Sequence, residues 1–151
     1  MFTPIAPDEL ERLIRKHYQF LKDDFDFSIN KISDYKFVAE SSVAKLHFDV
    51  EHAVNLVIEM EPVGEGAKLL LQHNITPNPL SVISIFYYYD PNLEYKVEMI
   101  DEENLINNIP LELERRASLV RKYCSKMLRG DFADWVAVKE NILARRRSKK
   151  I

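Results

Sequence analysis

The feature that most constrains this chain is a pair of alternating runs joined by a very short connection. Leu46, Phe48 and Val50 fall on one side of an extended backbone, with His47, Asp49 and Glu51 on the other. Val54, Leu56, Ile58 and Met60 repeat the pattern against Asn55, Glu59 and Glu61. Side chains of a strand alternate between its two faces, so each run reads as a strand with one face in a core and one in water. The connection, Glu51-His52-Ala53, is of hairpin length. An antiparallel sheet wet on one side follows, and apolar cover is needed on the other.

Helical spacing supplies that cover. Over residues 7–22, Leu10, Leu13, Ile14, His17 and Leu21 recur on one helical face, and Pro7, Asp8 and Glu9 suit a first turn. Pro110 opens a second stripe through Leu113, Ala117, Val120, Cys124, Met127 and Leu128, which predicts a helix over about residues 111–128. Glu112, Glu114, Arg115, Arg116, Arg121 and Lys122 lie elsewhere around it. After Gly130, Phe132, Trp135, Val136 and Leu143 mark a face of a last helix. Further strands are expected from Phe25, Phe27 and Ile29, from Tyr35 and Phe37, from residues 67–74 through Leu69 and Leu71, and from Tyr95, Val97 and Met99. Residues 78–89 fit either element: Asn78-Pro79 is a helix start, whereas Val82, Ile83, Ile85, Phe86 and three tyrosines favour a strand. The expected fold is α+β, an antiparallel sheet of four to six strands with an N-terminal helix and two C-terminal helices packed on it. One domain spans residues 1–151, with residues 145–151 a frayed basic tail.

Arg129-Gly130-Asp131 is the one short motif with a wider reputation, as a cell-adhesion signal. Here the tripeptide falls where one apolar stripe stops and the next begins. Gly130 suits the left-handed residue after a helix C-terminus, Arg129 the negative end of the dipole, and Asp131 the cap of the following helix. Local structure accounts for all three residues.

Apolar residues make up 46% of the chain and charged residues 30%, a composition that folds unaided. The net charge is −3 and the stretch Arg145-Arg146-Arg147-Ser148-Lys149-Lys150 carries five positive charges, so the first 144 residues sum to −8. An acidic body repels phosphate backbones and speeds encounter with a basic protein. The partner expected is therefore a protein, with basic character, and neither nucleic acid nor a membrane. The N-terminus lacks the pattern of an export signal, no stretch has the length of a membrane-crossing helix, and the single cysteine, Cys124, forms no internal disulfide; the expected location is the cytoplasm.

No catalytic, metal or cofactor site is assigned. His47, Asp49 and Glu51 project from one strand face in a pattern that suits a metal or an acid–base set, and equally the wet half of a strand. Glu59 and Glu61 are spaced as a carboxylate pair, and equally as rungs of a surface ladder. These residues carry the alternative reading, a small-molecule-binding or weakly hydrolytic domain with its pocket on the sheet. Cys124 and His17 fall on apolar helical faces and read as core. The glycines, Gly64, Gly66 and Gly130, form no phosphate-cradling loop. The basic tail lacks interleaved aromatic residues and suits a helix C-terminus. Tyr87, Tyr88, Tyr89 and Asp90 are the candidate partner-binding residues, because adjacent tyrosines cannot all face inward and tyrosine beside acid is common where proteins meet.

The segment from Leu119 to Trp135 resembles the closing segment of small bacterial proteins, some of them immunity-like antagonists of secreted toxins. Lys122, Tyr123, Leu128, Gly130, Asp131, Phe132 and Trp135 carry the likeness, which covers about 17 residues. The resemblance implies an α+β protein without an active site that acts by binding, here as an immunity-type inhibitor.

Overall fold

The computed structural model describes residues 3–148. Helices α1 (Pro7–His17) and α2 (Gln19–Phe25) lead into the antiparallel strands β1 (Ser28–Ser33), β2 (Lys36–Glu40), β3 (Ala44–Glu51) and β4 (Asn55–Pro62). Helix α3 (Gly64–Gln72), the short β5 (Leu80–Ser81) and α4 (Val82–Tyr89) follow. After them come the small pair β6 (Met99–Asp101) and β7 (Ile106–Asn107), then α5 (Ile109–Tyr123), α6 (Ser125–Leu128) and α7 (Trp135–Ser148). The five-stranded sheet runs in sequence order, β1 to β5, every neighbouring pair antiparallel. The α+β architecture expected from the sequence is the one observed.

The two founding runs form β3 and β4 and pair antiparallel, Leu46 opposite Met60 and Phe48 opposite Ile58. Their shared inner face is buried together with Phe37, Ala39 and Ile29, and α1, α4 and α5 lie over it with Leu10, Ile14, Ile85 and Leu113 fully buried. The hairpin turn is unusual in composition. Val54 N–H donates to Glu51 O at 3.0 Å, and the two central residues, His52 and Ala53, have φ of 54° and 61°. Glu51 pairs with Asn55, so the connection is three residues, and its two consecutive positive φ values are a conformation normally filled by Asn or Gly.

Several expectations are corrected. Residues 67–74 do not form a strand: Ala67 and Leu70 are buried one helical turn apart in α3, and the alternating Leu69 and Leu71 point outward. Gly66 decides this packing, because a Cβ there would lie 2.1 Å from the Val43 carbonyl oxygen and 2.8 Å from the Phe132 ring. The first helix breaks at Tyr18, whose φ of −108° and ψ of 16° turn the chain so that its ring meets Phe48 edge-on at 4.7 Å between centroids. Phe25 ends α2 and belongs to no strand. Residues 78–89 contain both elements, β5 and then α4, capped by Ser81 whose hydroxyl accepts from Ile83 N–H. Tyr95 and Val97 belong to no strand, and Met99 begins β6. In α7, Trp135 and Val138 face the core, whereas Val136 and Leu143 face water. The helix continues through Ser148, so residues 145–148 are helical; residues 149–151 lie outside the described residues.

The Arg-Gly-Asp segment is a helix terminus. Gly130 has φ of 95°, its N–H donates to Met127 O at 2.9 Å, and Asp131 N–H donates to Lys126 O at 2.9 Å, the paired bonds of a Schellman motif. Asp131 does not cap the next helix as expected, because α7 begins only at Trp135; its Oδ1 accepts from Ala133 N–H and closes a local turn, and the Arg129 guanidinium lies over the Phe25 ring at 4.7 Å.

Candidate functional site

Strand β5 pairs with β4 only at Glu59 and Met60, which leaves the first half of that sheet edge without a neighbouring strand. Bare edge groups in a core are costly and need partners. A strap, residues 92–107, supplies them along with α5. Asn107 N–H donates to Val54 O at 2.8 Å, Asn107 Oδ1 accepts from Leu56 N–H at 2.9 Å, and Arg116 Nη1 donates to Leu56 O at 2.9 Å. Two buried side chains thus stand in for a missing strand.

Arg116 is held by Glu112, one turn earlier on α5, both of them buried. Glu112 Oε1 accepts from Arg116 Nε at 3.0 Å and from the Tyr95 hydroxyl; Oε2 accepts from Glu98 N–H and from Arg115 Nη1, both at 3.0 Å. The Arg115 guanidinium also lies over the Tyr95 ring at 4.8 Å. Burial, and then the bond to Glu112, push the Tyr95 phenol up to about 12. Two donors reach each oxygen of Glu112, so the carboxylate is saturated, and the set fastens the strap to the sheet. Sequence reasoning missed it by placing Glu112 and Arg116 around the outside of the helix. The signal was present: Ile109, Glu112, Leu113, Arg116, Ala117 and Val120 share one helical face, all buried.

The residues singled out from sequence fall in separate places. His47, Glu59 and Glu61 meet on the open face of the sheet, His47 opposite Glu59 across the ladder and 2.7 Å from Glu61 Oε1. With Lys36 and Asp49 they border a shallow depression of about 220 Å³, below the 300–1,000 Å³ usual for small-molecule sites. Lys36 pairs with Asp49 at 3.7 Å and Lys45 with Glu40 at 3.9 Å, as in a solvated charge ladder. Glu51 shares this face at its hairpin end, outside the depression. No group of three or more possible metal ligands occurs among the described residues. Cys124 is buried and its thiol is pushed up by burial, which keeps it protonated and unreactive. His17 is half-buried at the end of α1, and burial lowers its pKa.

Tyr87, Tyr88, Tyr89 and Asp90 end α4, each half-buried. The Tyr87 hydroxyl donates to Tyr95 O, that of Tyr89 to Asp134 Oδ2, and Asp90 Oδ2 accepts from Tyr123, all at 2.8 Å. Three of the four thus tie α4 to its neighbours, and Tyr88 packs edge-on against Tyr89 at 5.0 Å.

The most distinctive surface is the far side of the strap. Residues 92–104 of the strap contain five carboxylates, Glu94, Glu98, Asp101, Glu102 and Glu103, against one lysine, Lys96. Beside the β6–β7 turn a groove of about 490 Å³ runs between strap and hairpin, with an apolar floor of Val54, Val97, Met99 and Leu105 and with Glu51 at its border. Leu105 is 67% and Ile100 58% exposed. Leu105 also has φ of 56°, so three residues with positive φ, His52, Ala53 and Leu105, cluster at this end of the molecule. Comparison with family models, with curated proteins and with solved structures finds no match to the chain.

Proposed function

We propose that the protein is a non-catalytic binding protein whose strap and hairpin groove take a basic, amphipathic segment of a protein partner, in the manner of an immunity-type inhibitor. The observation that carries the reading is the pairing of exposed Leu105 and Ile100 with the carboxylates of the same strap. Large apolar side chains held in water beside one sign of charge suit a partner that offers apolar anchors among lysines and arginines. The Met99 thioether gives the groove floor an adaptable surface. Placing leucine at positive φ costs roughly 1–2 kcal/mol, a strain consistent with a position kept for recognition. The saturated state of Glu112 agrees with a molecule that binds and does not react.

The test is capture of partners from the native cell extract by the wild-type protein, by Leu105→Asp and by Glu103→Lys, each at low and high salt. The expected result is a stoichiometric basic protein whose retention falls with salt and is lost in both variants. Retention indifferent to both substitutions, or no stoichiometric partner at any salt, refutes the reading.

A further inference from the structure

A second concave surface lies between α4 and α7, at a distance in sequence from the strap groove and opposite to it in charge. It encloses about 530 Å³, and Arg145 and Arg146 line it with Ser84, Asn141 and the Tyr87 ring. Among the described residues no carboxylate borders it, although the chain has 24 acidic residues against 21 lysines and arginines. Neither arginine has a carboxylate within ion-pair distance among the described residues.

The site is partly organised in advance. The Arg145 guanidinium lies over the Tyr87 ring at 4.1 Å, and that ring is fixed by its hydroxyl bond to Tyr95 O at 2.8 Å. A long side chain held flat on an aromatic face loses less freedom when it binds, while its N–H groups stay available at the rim. Arg146 follows directly on α7, and Asn141 lies one turn before Arg145, so guanidinium and amide donors share one wall. Ser84 places a hydroxyl on the facing wall, one turn before Tyr87 on α4. The aromatic residue that the basic tail lacks in sequence is thus supplied by another helix.

We propose that the α4–α7 groove binds a small molecule through a phosphate group. Two guanidinium groups, an amide and a hydroxyl converging on a concave surface match a multiply charged tetrahedral oxyanion, which accepts several charge-assisted bonds at once. The volume falls in the range of small-ligand sites and exceeds what inorganic phosphate alone fills. The proposal is independent of the partner reading, since it uses another surface and the opposite charge.

The experiment is calorimetric titration of the full chain with inorganic phosphate and, separately, with a nucleoside monophosphate at low salt. Wild type, Arg145→Ala, Arg146→Ala and Arg147→Ala are compared. Arg147 carries the same charge on the same helix but does not line the groove, so its variant measures the bulk electrostatic effect. All three arginines are at least partly exposed, and circular dichroism checks that each variant folds. The expected result is saturable binding of one equivalent of either probe, weakened about tenfold or more by Arg145→Ala and Arg146→Ala and little by Arg147→Ala. Absence of saturable binding by both probes up to about 10 mM, or equal losses in all three variants, overturns the proposal.

Discussion

Replacing Arg116 with methionine keeps most of the side-chain volume and removes the charge at the centre of the strap attachment. Glu112 stays fully buried and loses its 3.0 Å partner, while Leu56 O loses its 2.9 Å donor. Breaking a buried ion pair costs about 3–5 kcal/mol, and an orphaned buried carbonyl about 1–3 kcal/mol. Arg115 remains 3.0 Å from Glu112 Oε2 and Tyr95 still donates to Oε1, which places the total near the lower end, about 3–4 kcal/mol. That is a large share of the ~5–15 kcal/mol a domain commands. The double variant Glu112→Leu/Arg116→Met removes both charges together, so the Leu56 carbonyl, the Glu98 amide and the Tyr95 hydroxyl, all neutral groups, lose hydrogen-bond partners. Arg115 keeps its bond to Lys96 O, and no buried charge is left unpaired. Its expected loss is about 1–3 kcal/mol, less than that of Arg116→Met alone. Urea denaturation followed by tryptophan fluorescence measures both, and with a slope of ~1–3 kcal/mol/M the single variant lowers the midpoint by more than about 1 M. Amide exchange at Leu56 and Glu98 is expected to quicken first, because their bonds close the strap. If Arg116→Met costs under about 1 kcal/mol, or the double variant costs the sum of the two single changes, the network does not hold the strap and the reasoning fails.

Gly66→Ala is expected to cost about 1–3 kcal/mol by forcing α3 away from Val43, measured as a lowered denaturation midpoint; an unchanged midpoint counts against close packing as the reason for glycine there. Ala53→Gly is expected to stabilise the protein by about 1 kcal/mol, since it relieves a φ of 61° in the hairpin connection, and a loss of stability contradicts the left-handed conformation there. Tyr95 has a folded pKa raised from its ordinary value of 10 to about 12, so its contribution to stability is whole below pH 10 and is lost as pH rises from 10 through 12. Tyr95→Phe should flatten that alkaline loss and remove one tyrosinate absorbance step near pH 12; a variant that titrates like wild type places Tyr95 in water.

The sheet and most of its helical cover are legible in the pattern of apolar residues. Residues 46–60 alternate so regularly that the buried face and the approximate hairpin position follow from local geometry, and the stripe from Leu113 marks the main helix, although the single helix expected to Leu128 breaks at Cys124 into α5 and α6. Gly130 marked the helix end because only one backbone conformation there suits glycine best. The candidate sites were less legible. Adjacency shows that the α4 tyrosines cannot all face inward, but the hydroxyl partners that leave each half-buried, Tyr95 O and Asp134, are remote in sequence. Where tertiary contact overrode local preference, sequence reasoning went astray: residues 67–74 alternate like a strand and become a helix because Gly66 allows close approach to Val43. Glu112 and Arg116 read as solvated charges, since an isolated helix offers them only water. They turn inward because the edge of β4, left bare by a two-residue β5, offers a carbonyl that needs a donor. That demand exists only once strands, strap and helix are assembled, and no local pattern encodes it.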